Sequence, residues 1–138
     1  MSWFKKLSQS DAQQKTDGGL MPFRFTSENC QGDFITWFRE EFFGELEWKD
    51  KTWGSYQLEE AEINISVNIL GEDLGMRTMR LTHAVRRNIN NNAPTTHLSF
   101  DEITREYLQD NNTTGKYIIF SKGLTGDFYL VIQDTMPQ

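Results

Sequence analysis

Between Ala61 and Ile69, apolar and polar residues alternate strictly. Ala61, Ile63, Ile65, Val67 and Ile69 are separated by Glu62, Asn64, Ser66 and Asn68. A period of two marks a half-buried strand. Folding the chain back through "GEDLG" (71–75) sets Leu70 against Met76, Val67 against Met79, Ile65 against Leu81, Ile63 against His83 and Ala61 against Val85. The other face then sets Ser66 against Arg80 and Glu60 against Arg86. One register serves both faces, which predicts a long antiparallel hairpin as the spine of a sheet. A helix over residues 77–89 is the rival reading, with weaker periodicity.

A second pattern lies in "GDFITWFREEFFGELEW" (32–48). At roughly 100° per residue, Phe34, Ile35, Phe38, Phe42 and Leu46 share about 120° of a helical wheel. Phe43 falls at the edge of that stripe beside Arg39. Trp37 falls well off it, with Asp33, Glu40, Glu41 and Gly44. The wheel therefore predicts a core helix with an acidic outer face and an exposed tryptophan.

The remaining elements are shorter. "SWFKKLS" (2–8) suits one or two amphipathic helical turns with Trp3, Phe4 and Leu7 on one side, and "QSDAQQKTDGGLMP" (9–22) reads as a tether. "FRFTSE" (23–28) alternates as a short strand. "KDKT", between Trp48 and Trp53, suits the turn of a tight hairpin. "NINNNAPTT" (88–96) is a polar loop. In "LSFDEITREYLQDNN", Ser99 and Glu102 have capping-box spacing and Leu98 and Ile103 suit a hydrophobic staple. That predicts a second helix burying Phe100, Ile103 and Tyr107, with Leu108 nearby. "KYIIF" and "DFYLVI" flank a glycine-containing loop, which predicts a hairpin covered on both faces. The fold class expected is α+β: an antiparallel β-sheet, long meander plus C-terminal hairpin, with two helices packed on it in the order β-α-β-β-β-α-β-β. Residues 1–22 form the N-terminal segment and tether, and residues 23–138 a single domain.

Composition changes this picture little. Ten Phe, four Tyr and four Trp in 138 residues argue for a packed domain and against disorder. Cys30 is the single cysteine, so an internal disulfide framework is excluded. No run has the length of a signal peptide or a membrane span, and a cytoplasmic location is expected. Charge is more informative. The net formal charge is −6. Residues 28–62 carry three basic and ten acidic side chains, so this segment alone is −7 and the rest nearly cancels. Affinity for nucleic acid is not expected. An acidic surface suits a protein partner with a basic one.

Candidate chemistry is sparse. His97-x-Ser99 is half of a paired histidine–hydroxyl signature, but His83 has no hydroxyl at the matching position. Cys30, His83 and His97 share no metal-ligand spacing. "DNNTTGK" (110–116) lacks the alternating ligands and terminal Glu of a calcium loop. "GLTGD" (123–127) lacks the Gly-Lys-Ser/Thr of a phosphate loop. No cofactor is implied.

What remains is interaction. Trp37 ringed by Asp33, Glu40 and Glu41 either packs under the N-terminal segment, as an ordinary aromatic, or has the form of an aromatic anchor in an acidic rim. Trp3, Phe4 and Leu7 form a candidate docking segment. The expectation is a non-enzymatic, acidic protein-binding module of the inhibitor, immunity or chaperone-like kind. Two alternatives stand beside it. One is a small hydrolase with a site assembled from His83, His97 and carboxylates. The other is a homodimeric subunit that pairs an apolar sheet face.

Overall fold

A computed structural model of the protein describes residues 1–14, 22–53, 56–84 and 95–137, without the side chains of Ile35, Trp53 and Tyr56. It is mostly β: eight strands in one curled, mixed, half-barrel sheet, with one short helix and a small π-helical piece. The strands are β1 (Ser2–Lys6), β2 (Phe23–Arg24), β3 (Lys49–Trp53), β4 (Tyr56–Ile69), β5 (Glu72–Ala84), β6 (Thr95–Ser99), β7 (Tyr117–Lys122) and β8 (Phe128–Gln133). Their spatial order is β1-β7-β8-β4-β5-β6-β2, with β3 pairing a further part of β4. The sheet is not wholly antiparallel as expected, because β8 runs parallel to β4. The chain reaches β7 from β6 by a crossover through helix α2 (Glu102–Asp110), and a crossover is the connection that permits parallel neighbours.

The spine is the β4–β5 hairpin, in a register four residues from the expected one. Ala61 faces Leu81, Ile63 faces Met79 and Ile65 faces Arg77. A slip of four leaves every side chain on its predicted face, because faces repeat every two residues. The turn sets the register. Leu70 (φ 52°) and Gly71 (φ 87°) are both left-handed, as a two-residue type I′ turn requires, so "GEDLG" is not the loop and β5 starts at Glu72. A bulge between Val67 and Asn68 absorbs the extra residue on β5. The expected partners Val85 and Arg86, and most of the 88–96 loop, lie outside the described residues.

Other elements depart from the sequence pattern. Residues 2–6 are not helical: they form β1, paired to β7 with Trp3 opposite Phe120. Alternation then turns Trp3 inward (1% exposed) and leaves Phe4 half-buried on the outer face, while Leu7, just past the strand, is buried. "KDKTW" is the strand β3 and not a turn. Helix α2 begins after Asp101, not at Ser99, which ends β6. The helix therefore buries Thr104 and Leu108, while Ile103 is 48% exposed. Phe100 is buried from the extended chain ahead of the helix, so it does not share the helical wheel. Arg77 pairs with Asp101 at 2.9 Å and ties this junction to β5. On β7 and β8 one face is buried (Ile118, Phe120, Phe128, Leu130, Ile132), but the other is not covered as expected. There Ile119 and Val131 are half-buried and Tyr129 is 42% exposed.

The curl of the sheet brings its two edges together over an aromatic core. Trp3 on β1 lies 6.1 Å from Phe23 on β2 and 5.2 Å from Phe25, centroid to centroid. Phe25 lies 5.0 Å from Phe120 and 4.9 Å from Phe38. The seam is closed by side chains. Lys5 Nζ donates to the Arg24 carbonyl at 3.3 Å, Asn29 Nδ2 to the Phe4 carbonyl at 2.9 Å, and the Trp3 indole to the Glu28 carbonyl.

Candidate functional site

The acidic stretch begins as a single α-turn, α1 (Phe34–Thr36), and continues as a π-helix over Trp37–Phe42. The Phe43 N–H donates to the Phe38 carbonyl at 2.9 Å, five residues back. The wider π turn brings residues five apart closer to one side than an α-helix does. Trp37 meets Phe42, while Phe38 and Phe43 both pack on Phe25. Trp37, Phe38, Phe42 and Phe43 are all buried, and Trp37 lies 5.2 Å from Phe42. The wheel assumed an α-helix and so placed Trp37 outside. Its side chain (2% exposed) instead stands behind the acidic surface and over the Gly32 backbone. Gly44 ends the segment where the Glu40 carbonyl would lie 1.9 Å from an added Cβ, so no larger residue fits there.

The outer side of the segment is carboxylate. Asp33, Glu40, Glu41, Glu45 and Glu47 are all exposed. Among the described residues Glu40, Glu41 and Glu47 have no ion-pair partner, and Glu45 meets Lys122 Nζ only at 3.8 Å. Arg39 is drawn inward. Its Nε and Nη2 donate to the two oxygens of Glu59 at 3.0 and 2.8 Å, and its guanidinium stacks 4.5 Å from the Trp48 ring centroid. A bidentate fork on a carboxylate is among the stronger surface pairings. It neutralises the one basic side chain of the segment and fixes the segment to β4. Sequence reasoning had one signal for this, the place of Arg39 at the stripe's edge, because Glu59 is twenty residues away on another element.

Beyond this clamp lies His83. It faces Glu59 across the β4–β5 ladder, and its Nδ1 is 2.9 Å from Thr96 Oγ1. Burial lowers its pKa from the ordinary 6.5, Glu59 opposes that shift and Arg39 reinforces it. The Arg39 hydrogen bond lowers the Glu59 pKa against the effect of burial, with smaller electrostatic help from Arg39 and His83. His97 is elsewhere. It pairs with Thr82, the neighbour of His83, and successive residues point to opposite faces. The two histidines thus do not line a common pocket. Cys30 packs half-buried against the core, and among the described residues no cluster of His, Cys, Asp or Glu could hold a metal.

A cavity of about 400 Å³ lies on the outer face where the sheet forks, lined by Glu47, Lys49, Glu60, Ala61, Glu62 and Asn64. On one edge of β4, β3 covers Tyr56–Glu60 and β8 covers Ile65–Ile69. Between them, no described strand pairs that edge at Ala61–Asn64. No helix among the described residues is long and apolar enough to cross a membrane. Compared with known proteins, the chain matches no family model and no curated protein.

Proposed function

We propose that the protein is a non-enzymatic, acidic protein-binding module, inhibitor-like, immunity-type or chaperone-like, whose partner presents a basic surface. The observation that carries this reading is the run of exposed carboxylates Glu40, Glu41, Glu45 and Glu47 on a backbone held rigid by four buried rings and the Arg39–Glu59 clamp. A fixed field of one sign steers and orients an oppositely charged partner. Asp33 belongs to the same surface; Trp37 supports it from beneath. The discriminating variant is therefore not Trp37→Ala, which would disturb the core. It is Glu40→Lys, Glu41→Lys and Glu45→Lys combined. Capture of a basic partner from the native host should be lost while the melting temperature holds, and unchanged capture would reject the acidic face.

A second reading has an observation of its own. Phe4, Ile119 and Val131 stand side by side on the outer face, half-buried, with Tyr129 (42% exposed) and Met76 (60% exposed) in the adjoining row. This is the face a homodimer would pair. A monomeric mass by light scattering across a wide concentration range would dismiss it.

A further inference from the structure

We propose that the fork between β3 and β8 docks a short extended segment of the partner polypeptide, with an arginine or lysine of that segment set over Glu47 and Glu62. This rests on the protein-binding reading above and gives it a place and a recognition chemistry. β5 accompanies the other edge of β4 from Leu58 to Ile69, whereas no described strand accompanies the fork edge over Ala61–Asn64. Along a strand, successive residues direct their N–H and C=O to opposite edges, so half of these residues address the fork with both a donor and an acceptor. A lone cation could satisfy only the acceptors, and an anion only the donors. An extended backbone satisfies both, which is how sheet edges recruit peptides. Four residues span roughly 13 Å, enough for a comparably short segment.

The charges select the side chain. Glu60 is already held by Lys51 at 2.8 Å and Arg80 at 3.3 Å. Glu62 lies directly across from Arg80, but the guanidinium turns to Glu60 instead. Glu47 and Glu62 therefore keep no ion pair among the described residues, with Lys49 the one basic group on the cavity lining. A single basic residue on the incoming segment balances the lining.

The test uses the full chain and an acetylated Val-Arg-Val-Arg-Val-Arg peptide followed by NMR. The peptide should shift the amides of Ala61–Asn64 and bind about tenfold more weakly to the Glu47→Lys, Glu62→Lys variant, roughly threefold for each carboxylate reversed. N-methylation of alternate peptide amides keeps the charge and removes the backbone donors, and it should abolish binding. Equal binding of the N-methylated peptide, or no shift at Ala61–Asn64, would overturn the docking site. Because the wild-type chain carries these two arms, a variant that fails to fold cannot hide the answer. Loss of partner capture on reversing Glu40, Glu41 and Glu45 without any peptide effect would reject the fork and leave the acidic module standing. A peptide effect without that loss would reject the helical acidic face and leave the fork.

Discussion

The π segment and the β4–β5 hairpin both turn on a glycine, for opposite reasons. Gly71 sits in open space and is needed for its backbone angle, φ 87°. Gly44 is needed because the Glu40 carbonyl leaves no volume for a Cβ. The hairpin is thus specified by the conformation of its turn, and the π segment by how tightly its backbone packs. The same contrast holds for the pattern of side chains. A strand has one period, so its faces follow from sequence alone. A helix has a period only once its hydrogen-bond step is known, and a shift from four to five residues relocates every side chain after it.

Stability measurements put both halves of this contrast at risk. The largest effect is expected from Trp37→Ala. If the ring is core, denaturant unfolding should show a loss of about 3–5 kcal/mol. A loss near zero would return Trp37 to the surface. Gly44→Ala should follow at about 3 kcal/mol, since backbone must move to admit the methyl group. Deleting Glu40 is the sharpest probe of the period. It sets Trp37 and Phe42 four apart, as an α-helix wants, so the cost should stay within about 2 kcal/mol despite the lost residue. Gly71→Ala should cost about 1 kcal/mol, all of it backbone strain, and Gly71→Asn should recover part of that. The smallest effect is a pH dependence. His83 binds a proton more weakly folded than unfolded, since burial lowers its pKa below 6.5. Stability should be full above that value, fall as pH drops from 6.5 to the lowered folded pKa, and level off below it. His83→Gln should flatten that window, and an unchanged slope would assign it to another group.

What was legible in the sequence followed the same division. Alternation in residues 61–69 pointed to the hairpin and its buried face, but not to its register, because a slip of four preserves both faces. Only the left-handed pair Leu70–Gly71 settles it, and a leucine does not advertise that conformation. Ser99 and Glu102 have capping-box spacing, yet the serine ends β6 and the helix starts after Asp101, whose carboxylate is engaged by Arg77. Trp3, Phe4 and Leu7 suit a helical turn locally; what makes them strand and loop is β7, more than a hundred residues on. Of the candidate site, the acidic residues Asp33, Glu40 and Glu41 could be placed outward from the wheel. Their backing by Trp37, the Arg39–Glu59 clamp and the stretch of β4 edge that no described strand pairs could not, since each depends on elements meeting across the fold.

The pairing of β1 with β7 also sets a timetable. On the ribosome β1 is made first, and its partner only after β2 to β6 are complete. Until Phe120 arrives, Trp3 has no strand beside it, and Phe25 lacks one wall of its ring cage. Long-range pairing of this kind slows folding and leaves apolar surface uncovered meanwhile. A nascent chain stopped short of Tyr117 would carry both edges of an unclosed sheet, a state for a chaperone to hold.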